Sequence, residues 1–254
     1  MNRNIKNMPS KLFSLLTIHT DIDIKSYPNA RVFVTEEEYE ALRKDVFPKA
    51  TIRYGRGQIA SIYEYKSINY LIVHNDYENT SLPILSAVDD IKEIGYVYIV
   101  DNSISPLDSA TRQELEENIF IDENVEDIQW ERISKYFPGY SLFKINDVVP
   151  SNNDEILVYL KRLCIALVCE TREIQQLPYD QDTIAAFMDI ANSTDNNIPY
   201  DNILRSLLSY HWKFCFIDLY RCQERLLLLA WVEEFKASMN SGLTLVDLHK
   251  KMKT

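Results

Sequence analysis

The chain is short of glycine, cysteine and histidine, and it lacks an excess of positive charge. Five glycines and four histidines stand among 254 residues. Gly55-Arg56-Gly57 brings two glycines together, but no Lys-Ser/Thr and no helix start follow. It therefore reads as a hairpin turn and not as a phosphate loop. Lys and Arg number 27 against 38 Asp and Glu, a formal charge of −11. That balance argues against sequence-independent nucleic-acid binding over the whole surface and leaves room only for a local basic pocket. The four cysteines, Cys164, Cys169, Cys215 and Cys222, fall in the second half without a C-x-x-C or a Cys/His cluster, which argues against zinc. Cys215 and Cys222 share one helix face two turns apart and cannot comfortably bridge, so the thiols read as buried and free in a cytoplasmic protein. No run approaches the roughly 18 apolar residues of a membrane span. Leu12–Ile18 is too short and too polar for a signal peptide. No G-x-S-x-G, H-E-x-x-H or paired-acid nuclease pattern is present, and nothing points to a metal or an organic cofactor.

What is present predicts an α+β protein in two parts. Residues 1–149 read as a small mixed domain. RVFVT (31–35) is a strand candidate, and EEEYEALRKDVF (36–47) a helix capped by Thr35 with Glu38 three residues on. Residues 51–54, 58–65 and 68–74 are β-rich runs joined by short turns, Lys66-Ser67 among them, and predict an antiparallel meander. Leu82–Ile94 reads as a helix and YVYIVD (96–101) as a short buried strand. Helices are expected over Pro106–Asn118 and Val125–Tyr136. The polar stretch around Pro150 marks the boundary. Residues 150–254 then show only helical periodicity: one helix from Asp154 that ends near Pro178, a second over Asp180–Ala191, and a turn-rich loop over 192–199. A long helix, or two joined by a kink, follows over Tyr200–Met239, with a short amphipathic helix over 243–252.

The richest stretch is Tyr200–Phe235. It has no glycine or proline and is dense in leucine and aromatics, so it predicts a buried helix. It also carries Arg205, His211, Lys213, Asp218, Arg221, Glu224 and Arg225, and charges on a buried helix are costly unless paired or used. On one uninterrupted helix Arg205 and His211 would lie about 120° apart and roughly 9 Å along the axis, so that their tips converge. Histidine suits proton transfer near neutral pH. The arginine fork suits a phosphate and its developing charge. Tyr220, Arg221 and Glu224 form a second constellation, with Arg221 and Glu224 one turn apart and able to pair. It would serve as the polar floor of a phosphate pocket, as a dimer seam, or as a structural ion-pair ladder that includes Asp218.

The spacing from Arg205 to His211, near the start of a long helix in an all-helical region, resembles the HEPN superfamily. FIDLYRCQERLL (216–227) adds to the resemblance, which spans about residues 154–254. It implies a helical bundle that acts as a dimeric, metal-independent RNase of a prokaryotic defence or toxin system. Arg205 would bind the scissile phosphate, His211 would serve as acid/base, and Tyr220, Arg221 and Glu224 would contribute to substrate binding. Dimerisation would be needed because one Arg-His pair supplies half of the family's composite site. Residues 1–149 would sense or gate. The alternative is a non-catalytic interaction or sensor subunit of a defence or signalling complex, with the long helix as its assembly surface. The uncharged Ser206 after Arg205 favours this second reading.

Overall fold

The computed structural model describes residues 8–18, 20, 22, 31–32, 42, 44–54, 58–74, 80–119, 127–170, 179–193, 198–209 and 211–238. The Gly55–Gly57 turn, the start of the helix expected over 36–47 and the terminal helix expected over 243–252 lie outside them. In chain order the elements are α1 (Met8–Ile18), β1 (Arg31–Val32), β2 (Val46–Tyr54), β3 (Gln58–Tyr65), β4 (Ile68–His74), β5 (Leu85–Ala87), α2 (Lys92–Asn102), α3 (Arg112–Asn118), β6 (Asp127–Ile128), α4 (Trp130–Ser134), β7 (Tyr140–Ile145), α5 (Asn153–Glu170), α6 (Gln181–Asn192), α7 (Tyr200–Leu207) and α8 (Trp212–Ser238). The composition is α+β. The chain divides into two compact units, residues 1–160 and 161–254, and the division falls within α5.

The first unit is organised by an antiparallel sheet of order β2-β3-β4-β7-β5. The expected meander forms one side of it, from the edge strand β2 to the central β4: Tyr65 pairs with Ile68 across a two-residue turn, and Lys66 and Ser67 both take positive φ, at 49° and 63°. Two left-handed residues give the turn a twist that matches the flanking strands. β2 lies at the sheet edge, where Pro48 costs no ladder bond, and its register with β3 shifts between Pro48 and Ala50. β3 is buried along most of its length because neighbours cover both of its faces.

Two elements depart from expectation. YVYIVD is not a strand: it is the body of α2, buried without a break from Ile94 to Val100. Residues 82–94 are not one helix, since Leu85–Ala87 is the edge strand β5 and α2 begins only at Lys92. An apolar run buried on all sides satisfies a helix as well as a strand, and here tertiary packing outweighs the β propensity of Tyr, Val and Ile. The packing is specific. Tyr98 donates its hydroxyl hydrogen bond to the Ile59 carbonyl at 3.2 Å, Asn102 Nδ2 donates to the Tyr63 hydroxyl at 3.4 Å, and the Arg53 guanidinium donates to the Asn102 carbonyl at 2.8 Å. The last contact places a cation at the negative end of the helix. The remaining helices of this unit are shorter than expected: α3 starts at Arg112 behind a Thr111 cap, and α4 spans only Trp130–Ser134. Val46 and Phe47, expected at a helix end, begin β2.

The second unit contains α6, α7 and α8. Asp180 caps α6 by accepting from the Thr183 N–H at 2.8 Å, and that bond holds its carboxyl below the usual range. Arg162 donates to the Ala191 carbonyl at 2.7 Å near the other end of α6. Burial pushes the Cys164 thiol up and the Cys169 thiol up to about 12, and all four cysteines are buried and free.

Gly95 on α2 is closely approached by the Tyr140 side chain. A Cβ there would run into the Tyr140 hydroxyl and stand 2.7 Å from ring carbon Cζ. Tyr140 is held in place by a 2.6 Å hydrogen bond to Asp90 Oδ1. Gly95→Ala is therefore expected to lower stability by roughly 1–3 kcal/mol through overpacking, although alanine is the better helix former. Urea denaturation checks this, and a midpoint equal to or above wild type would contradict the close approach.

Candidate functional site

The chain breaks between α7 and α8, and the break decides the geometry of Arg205 and His211. α7 ends at Leu207: Leu208 takes φ −94° and ψ 5°, its N–H donates to the Leu204 carbonyl at 3.1 Å, and the Ser209 N–H donates to the Ser206 carbonyl at 3.1 Å. His211 starts the next helix: its carbonyl accepts from the N–H groups of Phe214 and Cys215 at 3.0 and 3.1 Å. Arg205 thus sits in the last turn of one helix and His211 immediately before another. The spacing expected on one continuous helix does not apply. Both side chains are exposed. His211 tilts against Phe214 at a centroid distance of 6.1 Å. Among the described residues no hydrogen bond joins Arg205 to His211, and no polar partner holds the arginine.

What ties the two helices together is a buried polar knot that the sequence reading passed over. Ser206 is 0% exposed. Its Oγ lies 3.1 Å from Cys215 Sγ on α8. The Tyr179 hydroxyl donates to the Ser206 carbonyl at 3.1 Å and lies 2.7 Å from Cys215 Sγ. Phe187 and Trp212 pack edge-on to the Tyr179 ring at 5.7 and 5.5 Å. The Tyr179 phenol is pushed up, first by burial and then by its bond to Cys215. Ser206 follows Arg205 in the sequence but faces inward, so it serves the joint between α7 and α8. A small hydroxyl and a thiol nine residues apart across a helix break were the available signal.

The second constellation is exposed. Tyr220 stacks on Phe216 at 6.1 Å with an interplanar angle of 18°. Arg221 faces Asp218 at 3.8 Å, while the expected partner Glu224 stands exposed one turn on. A solvated pair at that distance contributes little to stability. At about 100° per residue, Tyr220, Arg221 and Glu224 spread over about 100° of the helix surface and do not converge on one point.

The larger feature is α8 itself. The expectation that this helix is buried fails: of the large apolar side chains exposed among the described residues, nine of thirteen are on α8. Cys215 and Cys222 mark its packed side. Trp212, Phe216, Tyr220, Leu227, Trp231 and Phe235 form a stripe that spans about 140° and is centred roughly 140° from the midline of that packed side. Phe216 and Trp231 are 68% and 70% exposed. An aromatic side chain carries about 150–250 Å², so the stripe leaves roughly 700 Å² of apolar surface, above the roughly 300–600 Å² of the largest patch on an ordinary monomer.

Among the described residues no helix is long and apolar enough to cross a membrane, and no group of three or more His, Cys, Asp or Glu could hold a metal ion. Tyr179→Phe is expected to destabilise the protein by about 1–2 kcal/mol, because it removes the hydroxyl that donates to the Ser206 carbonyl. An unchanged denaturation midpoint would show that the knot contributes nothing. No protein-family model, curated protein or solved structure matches the chain.

Proposed function

We propose that this chain is an interaction subunit and that α8 is its assembly surface. The observation that carries the reading is the apolar stripe opposite the helix's packed side. A water-soluble helix that needed only to complete its own unit would be polar on that side. Here the unit engages Cys215 and Cys222 and leaves Phe216 and Trp231 in solvent. Residues 1–149 would sense or gate the assembly. The test is native size in an extract of cells that express the chain. Wild type is expected to run well above the 29.7 kDa of one protomer, and Phe216→Glu with Trp231→Glu to collapse it toward that size. Both positions are exposed, so the variants keep the protomer fold. Equal sizes for wild type and variant would refute the reading.

A second reading has its own support. Arg205 and His211 are both accessible to a substrate at a single helix junction, as a HEPN-like metal-independent RNase of a defence or toxin system would require. A phosphate could dock on the arginine while the imidazole moves a proton at the ribose 2′-OH or the leaving 5′-oxygen. Purified protein incubated with RNA in EDTA is expected, on this reading, to cleave, with Arg205→Ala and His211→Ala each reducing the rate by at least about 100-fold. Cleavage that needs a divalent metal, or survives both substitutions, would eliminate it.

A further inference from the structure

Resting on the assembly reading above, we infer that the occupant of the α8 stripe is a second copy of this chain, with the two helices antiparallel and a two-fold axis crossing between Gln223 and Glu224. The inference comes from the order of residues along the stripe. A two-fold interface requires that if one residue meets another across the axis, the converse contact also forms. For two antiparallel helices, the residues that meet are those equidistant from the axis. About the point between Gln223 and Glu224, Tyr220 is matched by Leu227, Phe216 by Trp231 and Trp212 by Phe235. Every large apolar residue of the stripe thus meets another large apolar residue.

The charges obey the same symmetry. Lys213 is matched by Glu234, and both are exposed. Each copy would place its lysine against the partner copy's glutamate, so one dimer makes that pair twice. At the centre Gln223 meets Glu224, an amide donor against a carboxylate acceptor. A parallel pairing in register would instead set Lys213 against Lys213 and Glu234 against Glu234, at a cost in repulsion.

The area is sufficient. Roughly 700 Å² of exposed apolar surface per copy, before any flanking polar residue is added, approaches the about 800 Å² per partner of a standard stable interface. The length is sufficient as well: at 1.5 Å per residue, the 27 residues of α8 extend about 40 Å.

The experiment uses the purified full chain and reads mass by analytical ultracentrifugation over a range of micromolar concentrations. Wild type is expected to sediment as a dimer. Lys213→Glu alone and Glu234→Lys alone each set like charges opposite one another twice, and each should raise the dimer dissociation constant by about tenfold or more. The double variant Lys213→Glu/Glu234→Lys restores opposite charges and should bring the constant back to near wild type. A dimer that both single variants leave unchanged, or that the double variant fails to rescue, overturns the antiparallel register while leaving α8 as an assembly surface. A monomer at every concentration overturns the second copy as occupant. The assembly reading is then judged separately by native size in the cell extract.

Discussion

An apolar helix surface in water must be covered, and among the described residues the second unit buries only one side of α8. The buried knot of Ser206, Cys215 and Tyr179 fixes that side: it locks α7 to the first turns of α8 and so determines which way the helix faces. Rotation about the axis would pull a hydroxyl and a thiol out of a satisfied buried cluster. With that rotation fixed, Phe216, Tyr220, Leu227 and Trp231 have no choice but to point outward. The exposed stripe is therefore a consequence of how the joint is built.

The same joint governs the candidate chemistry. Had residues 200–239 formed one helix, Arg205 and His211 would share an edge. The break after Leu207 instead gives each its own helix end. Their accessibility and the stripe occupy neighbouring parts of one unit, so an assembly through α8 and a reaction at the junction are compatible roles. What differs is their support. The stripe rests on six exposed side chains and their order, whereas the Arg-His pair rests on two exposed side chains and a resemblance.

Much of the first unit was legible in the residues. β3 and β4 carry β-rich runs around Lys66-Ser67, and the structure pairs them in that register. Asp180 was legible as the start of α6 because a capping carboxylate is a local signal. Three things were not. YVYIV has strand chemistry but is enclosed on all sides, and enclosure is a property of the fold that propensity does not encode. β7 escaped because Tyr140–Ile145 is short and mixes a serine and a lysine into an apolar run, yet it is the strand that joins β4 to β5. The exposure of α8 was misjudged for the opposite reason: hydrophobicity around the whole circumference says that a helix is to be covered, and not which molecule covers it.

The most direct measurement is acrylamide quenching of Trp231 as a function of protein concentration. Trp212→Phe keeps an aromatic in the stripe and removes its fluorescence, and Trp130, at 2% exposed, is shielded from the quencher. If α8 is an assembly surface closed by a second copy, quenching falls and the emission shifts to the blue as concentration rises through the dissociation constant. If Trp231 remains fully quenchable from nanomolar to high micromolar protein, the stripe is not closed by a second copy, and the account of α8 as a self-assembly surface is contradicted.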